Sequence, residues 1–392
     1  MKPDAARLNQ AIQQALARGD LRGAEQLLLQ WLEAEPGYLA GWLGVAGIRR
    51  QLGRLDEAMA AVHRARALDP RHFQSLLMEA TLLDRMGNEK LAARAYGIAL
   101  FQAPPDTQLD PATRQAVQRG REVHAKYQTE ITRFVSDSAA TAQAQCSGTE
   151  KRRIDQFIGI SLRTQQRYQQ DPLEYYYPGL PSVEFFEREQ FPWLEAFEAE
   201  TPAMRAELEA AMAGNAAEFT PYVQYDKHLP LDQWAELNHN PDWTSYNLYR
   251  EAKPIPEHVA RAPRTFAAVQ KIPQAFVPRR SPVALFSVLQ PHTHIPPHTG
   301  IANFRLLVHL PLVLPGNCRF RVGNQTRDWQ LGQAWVFDDT IEHEAWNDSD
   351  KVRVILICDI WNPFLSPEER TAIAAVIAAT DTFNGTQPTA SA

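Results

Sequence analysis

Five of the chain's eleven histidines fall between positions 292 and 343: His292, His294, His298, His309 and His343. Neutral imidazole suits iron, zinc, copper or nickel, so a cluster this dense is a candidate metal site. Its second half has an ordered spacing, with Gly332, then Asp338, Asp339 and Thr340, then His343 and Asn347. Such a turn can reverse a strand and aim one histidine inward. In the first half two readings compete: His292, His294 and His298 as a set, or His298 alone in a His-Thr-Gly turn. Pro291, Pro296 and Pro297 argue against a regular strand there, which leaves His292 and His294 on a loop or rim.

The segments around these residues alternate with period two: VALFSVL, FRLLVHL, CRFRV, AWVFD and VRVILICDI, each bounded by Pro, Gly, Asn or Asp. Short strands with irregular connections and no helical periodicity between them predict an antiparallel jelly roll from Val283 onward, not a βαβ fold. Parity assigns faces. His309 lies opposite to Phe304, Leu306, Val308 and Leu310, whereas Arg353 shares a face with Ile355 and Ile357. An arginine on an apolar face needs an acidic partner or ligand, because burying it alone is costly. Asp338 and Asp339 read as turn residues or as supports for His343. Cys318 and Cys358 read as buried small residues.

Upstream, the chain repeats. Pro36, Pro70 and Pro104 are spaced by 34, as are Gly19, Gly53 and Gly87, and Ala24, Ala58 and Ala92. Glycine permits the left-handed turn between two helices, and alanine lets them approach. The period, with Trp42 and Ala65 in place, is that of tetratricopeptide repeats at 3–36, 37–70 and 71–104. Asp110 and Pro111 open a helix to about Val135 that caps the stack, so this part spans 1–135. Residues 136–149 hold no large apolar side chain and read as a linker. A helix from about Glu150 to Gln169 begins the second part, 150–392. Ser366, Pro367 and Glu369 start a last helix to about Thr380, followed by a frayed tail.

With 392 residues, 44% hydrophobic and 22% charged, the chain is globular and multidomain. A net charge of −6 argues against a nucleic-acid partner. Cys146, Cys318 and Cys358 are far apart and suit a reducing compartment. The polar N-terminus carries no signal-peptide core and no apolar run approaches a transmembrane length, so a cytoplasmic location is expected.

PHTGIANFRLLVHLPL at 297–312 and WVFDDTIEHEAWNDSDKVRVILICDIWNP at 335–363 resemble the aspartyl/asparaginyl β-hydroxylase family. PGLPSVEFFEREQFPWL at 178–194 and WTSYNLY at 243–249 resemble its bacterial members, so the likeness covers about 175–370. The resemblance implies a double-stranded β-helix (jelly-roll) oxygenase that uses Fe(II), 2-oxoglutarate and O2. It implies His298 and His343 as the iron ligands, with Gly300 where related oxygenases carry an acidic third ligand. It implies Arg353 and Ser287 on the far carboxylate of 2-oxoglutarate, and His309 near its metal-bound end. Leu307 departs from the family, whose animal members have there an arginine associated with the acidic substrate. The reading is a repeat solenoid joined to an oxygenase that hydroxylates an unactivated C–H. A polypeptide substrate comes first, with the repeats recruiting a peptide or protein partner. Hydroxylation of a small molecule or acyl chain, and a non-catalytic binding protein, are the alternatives.

Overall fold

The computed structural model describes residues 5–214, 216–226 and 228–385. The start of the first predicted repeat at residue 3 and the tail from 386 lie outside the described residues. Contacts gather into two compact units, one ending at Gln165 and the other beginning at Gln166.

In the first unit each period is a helix pair: α1 (Ala5–Ala17) with α2 (Leu21–Ala34), α3 (Leu39–Gln51) with α4 (Leu55–Leu68), and α5 (Phe73–Arg85) with α6 (Glu89–Phe101). Gly19, Gly53 and Gly87 turn each pair at φ +74°, +78° and +76°, the left-handed region that favours glycine. Ala24, Ala58 and Ala92 are completely buried between the paired helices. Helix α7 (Pro111–Gln143) starts where Asp110 accepts the backbone N–H groups of Ala112 and Thr113. Val117 and Gly120 are its buried residues, and a side chain at Gly120 would run into Tyr96 of α6.

The structure corrects two boundaries here. Helix α7 continues to Gln143, so most of the predicted linker 136–149 is helical. Its alanines and polar residues cannot fill a core but form an exposed helix readily, so a lack of large apolar groups is not a lack of structure. Helix α8 (Gly148–Ser161) opens on a capping box of Ser147 and Glu150. It ends eight residues before the predicted Gln169 and falls in the first unit rather than opening the second.

The second unit runs α9 (Leu194–Glu198), α10 (Thr201–Gly214), β1 (Thr220–Pro221), β2 (Trp243–Asn247), the small ribbon β3 (Tyr249–Arg250) and β4 (Lys253–Pro254), α11 (Pro256–Arg261) and α12 (Pro263–Val269). Eight strands follow: β5 (Ala284–Leu289), β6 (Thr293–His298), β7 (Arg305–Val313), β8 (Cys318–Val322), β9 (Gln325–Asp328), β10 (Trp335–Phe337), β11 (His343–Asn347) and β12 (Arg353–Trp361). Helix α13 (Pro367–Asn384), capped by Ser366 and Glu369, passes the expected end at Thr380 and stops at Gly385 in the left-handed conformation. The large sheet has the order β1-β2-β5-β12-β7-β10 and the small one β6-β11-β8-β9, every pair antiparallel. Because β5 to β12 distribute between two sheets in this order, the winding is that of a jelly roll.

Strand β6 is a further correction. Pro296 and Pro297 do sit in a strand, and the strand lies at a sheet edge, where a missing N–H costs no ladder bond. Faces follow parity. Leu306, Val308, Leu310, Val354, Leu356, Cys358 and Ile360 pack outward against Leu194, Phe197, Met204, Leu208 and Val269. Ile355 and Ile357 point inward with Leu285, Leu289, Phe320 and Ala345 of both sheets.

Candidate functional site

The inner faces enclose a cavity of about 960 Å³ whose wall includes His298, His343, His309, Ser287 and Arg353, all five residues singled out for chemistry. His298 ends β6 and His343 begins β11. The antiparallel register puts them directly opposite each other, with ring centroids 4.0 Å apart. Each Nδ1 donates to a backbone carbonyl two residues earlier, Pro296 at 2.8 Å and Ile341 at 3.0 Å. That fixes the tautomer and leaves both Nε2 lone pairs free for a metal. Burial pushes His298 down to about 4 and His343 well below its ordinary value. Both rings are therefore neutral at pH 7, the form a metal requires.

Among the described residues no third His, Cys, Asp or Glu joins this pair to make a cluster able to hold a metal. The reason is local. A side chain at Gly300 would overlap the Asp339 carboxylate, while the Gly300 N–H donates to the Asp339 carbonyl at 2.6 Å. Burial, opposed by Arg305, raises the Asp339 carboxyl to about 7, and its Oδ1 has no hydrogen-bond partner. Asp338 accepts from Thr340 N–H at 3.0 Å, the Thr340 hydroxyl at 2.6 Å and Gln170 Nε2 at 2.6 Å. It stiffens the turn that delivers His343.

Arg353 is only 2% exposed. Its Nε and Nη2 have no acceptor among the described residues, its guanidinium lies 5.0 Å over the Trp329 ring, and burial lowers it to about 10. Across the β5–β12 pair Arg353 faces Leu289, so Ser287 is its diagonal neighbour on the same face. The Ser287 oxygen accepts from Trp243 Nε1 at 3.0 Å. His309 sits 4.6 Å from the Phe337 ring and 5.1 Å from Phe320. Its Nδ1 is unpartnered, and burial and then the Arg353 charge keep it neutral. A buried cation without an acceptor, beside a hydroxyl and a neutral imidazole, forms a cradle that a small dicarboxylate would complete.

A second buried arginine behaves differently. Arg305 Nη1 donates to Asp359 at 3.2 Å, and Nη2 lies 3.7 Å from Asp339. Asp359 also accepts from the Ser281 hydroxyl at 2.6 Å and Val283 N–H at 2.7 Å. Sequence reasoning passed over Asp359, although an aspartate inside an apolar strand signals a buried partner. Trp243 stacks on Tyr222 with centroids 4.0 Å apart, while Trp234 reaches within 5.0 Å of the His298 ring. His292 and His294 lie outside the cavity wall, His294 on strand β6 and not on a loop: His292 pairs with Asp350, and His294 pairs with Glu344 and stacks on Trp346.

A family model described as "Aspartyl/Asparaginyl beta-hydroxylase" matches residues 198–363, and a "Tetratricopeptide repeat" model matches 15–80. The aspartyl/asparaginyl beta-hydroxylase of Mus musculus is 37% identical over 149 residues, covering 38% of this chain and 20% of that protein. The ornithine lipid ester-linked acyl 2-hydroxylase of Rhizobium tropici is 34% identical over 198 residues, 50% of this chain and 66% of that one. The match thus spans about a fifth of the mouse protein and just under two thirds of the bacterial one. Among solved structures, the Sgt2 TPR domain from Aspergillus fumigatus is 21% identical over 33% of this chain and 83% of that one, with a TM-score of 0.28.

Proposed function

Residues 198–363 belong to the aspartyl/asparaginyl β-hydroxylase family, and on that premise we propose that the chain is an Fe(II)- and 2-oxoglutarate-dependent dioxygenase that hydroxylates an unactivated C–H bond. One observation carries the reading: Arg353 is buried with two unsatisfied N–H positions in the same cavity as two neutral histidines that share one free face. When bound, iron supplies the oxygen chemistry in which substrate, 2-oxoglutarate and O2 become hydroxylated product, succinate and CO2. The protein's own residues hold and orient. His298 and His343 present Nε2 as ligands, their Nδ1 protons committed to carbonyls. Arg353 and Ser287 would grip the far carboxylate of 2-oxoglutarate, and His309 would donate or accept at its other end. The apolar rings around His309 exclude water from that end.

A polypeptide is the first substrate reading, since the repeats of the first unit are an architecture suited to holding extended chains. One observation favours a second. Leu307 lines the cavity, and Arg305 beside it is already engaged by Asp359 and, at 3.7 Å, by Asp339, so neither offers a free charge to an acidic side chain. An acyl chain or other apolar small molecule fits such a wall. The test is an iron-loaded incubation of the full chain with cell lysate and 2-oxoglutarate, reading succinate and products heavier by one oxygen atom. A modified peptide supports the first reading and a modified lipid the second. Absence of succinate from metal-loaded protein in every fraction would leave only a non-catalytic binding role.

A further inference from the structure

The chain enters the second unit through a segment that belongs to no helix or sheet and lies across both histidine-bearing loops. Asp171 N–H donates to the Thr340 carbonyl at 2.8 Å, in the turn before His343. Leu173 N–H donates to the Gly300 carbonyl at 2.9 Å, in the loop after His298. The N–H groups of Glu174 and Tyr175 donate to the Ile301 carbonyl of that loop at 3.1 and 3.0 Å. Asn303 closes it, with Oδ1 accepting from Tyr177 N–H at 2.7 Å and Nδ2 donating to the Tyr177 carbonyl at 2.9 Å.

One side chain joins the two loops. Gln170 is buried, and its Nε2 donates to the Asp338 carboxylate at 2.6 Å and to the Pro181 carbonyl at 3.3 Å. Its Oε1 accepts from Asn303 Nδ2 at 3.0 Å. Both N–H groups and the oxygen are thereby used. Turned over, the amide would set its oxygen against a carboxylate and its amino group against another, so its partners fix its direction. Asp338 and Asn303 are completely buried, which makes the loss of either bond costly.

The position of this bridge matters because of where the β6–β11 ladder stops. His298 and His343 are the pair at its end, separated by a register shift from the next pair, Ile295 with Ala345. Strand β6 is an edge strand with no second neighbour, and the end of a ladder opens most easily. Beyond this pair the loops are held together by the Gly300–Asp339 backbone bond and by the segment that carries Gln170.

We infer that Gln170 is a positioning residue for the metal site: acting through Asp338 and Asn303, it fixes the separation of the loops that carry His298 and His343. The inference rests on the reading of these two histidines as metal ligands. Groups that support metal-binding histidines from behind are worth about 10–100-fold in affinity.

The experiment titrates the metal-free full chain with Co(II) alone and follows the visible absorption, which reports both affinity and ligand geometry. The signal of the site is the part that His298→Ala removes. Gln170→Leu keeps the volume but loses every bond of the amide. It should weaken Co(II) binding about tenfold or more and change the spectrum of the saturated protein. Gln170→Asn keeps the amide one methylene short of spanning the loops, and should fold even where the leucine variant does not, with a loss in the same direction. Gln169→Leu, at the exposed neighbouring position, should titrate as the parent does. Leu208→Ala leaves a cavity on the outer side of the large sheet and lowers the melting temperature, but should keep the parental affinity and spectrum. That control separates positioning from general stability. Parental affinity and spectrum in the Gln170 variants, or an equal loss in Leu208→Ala, would overturn the inference and leave the ligands in place. A parent whose Co(II) signal is untouched by His298→Ala would overturn the ligand reading, and the inference with it.

Discussion

Arg305 and Arg353 lie on adjacent strands of one sheet, and both are buried in the same cavity wall. Arg305 has two carboxylates within ion-pair distance, whereas among the described residues Arg353 has none and leaves two nitrogens unsatisfied. Desolvating a guanidinium costs several kcal/mol, so the first arrangement compensates at home and the second waits for a ligand. The contrast separates structure from function without reference to any relative. A paired buried charge holds strands together; an unpaired one marks where an oppositely charged molecule must sit.

The sharpest way to break the comparison is to remove the metal face that the Arg353 cradle serves. His298→Ala and His343→Ala should each abolish succinate formation, while circular dichroism and melting stay close to the parent. Both rings bond only to local carbonyls, and shortening them leaves the apolar packing in place. Near-parental turnover in either variant would remove the assignment of these two as ligands.

Next in size is the paired arginine. Arg305→Met strands Asp339 and Asp359 in the interior and should cost about 3–5 kcal/mol of stability, measured by denaturant titration. Arg353→Met should do the reverse. It should raise the apparent requirement for 2-oxoglutarate by roughly 30- to several-thousand-fold, the equivalent of about 2–5 kcal/mol. The ligand-free variant should be no less stable than the parent, because an uncompensated charge has gone. If Arg353→Met unfolds the protein and Arg305→Met does not, the two roles are exchanged.

How much of this contrast was legible beforehand depends on whether the signal was local. The alternation of VRVILICDI gave the face of Arg353 directly, and the 34-residue ladders gave each helix pair, because both are periodicities within one segment. The pairing of Arg305 with Asp359 depends on β7 and β12 lying side by side, 54 positions apart, a long-range contact that no short window carries. Edge location was hidden in the same way, so Pro296 and Pro297 were read as breakers although β6 tolerates them. The 136–149 stretch failed for a different reason. Its helix is held by backbone bonds and alanine propensity rather than by an apolar stripe, and a reading based on stripes misses it.

A vacant ligand position can be tested by trying to fill it. The sequence alone invites Gly300→Asp as a way to complete a three-ligand site and tighten iron. The structure predicts the opposite, since any side chain at 300 collides with the Asp339 carboxylate and brings a second buried acid beside it. Overpacking of this kind costs about 1–3 kcal/mol. The variant should melt lower and hold iron no better; higher iron affinity with an unchanged melt would show that Asp339 moves aside freely.

The smallest expected effect lies in Asp339 itself. Its carboxyl is raised to about 7, above the roughly 3.9 of an unfolded aspartate, chiefly by burial. The unfolded chain therefore gives up this proton at lower pH than the folded one. Between about pH 4 and pH 7 the folded state binds more protons, so this group makes stability fall as pH rises through that window. Asp339→Asn cannot ionise and should flatten that slope by up to about 1 kcal/mol per pH unit, read from denaturant midpoints at a series of pH values with metal chelated throughout. Arg305 retains Asp359 in the variant, so the fold should persist. A slope unchanged by the substitution would mean that Arg305, 3.7 Å away, holds Asp339 ionised across the range, and that it is as fully paired as Asp359.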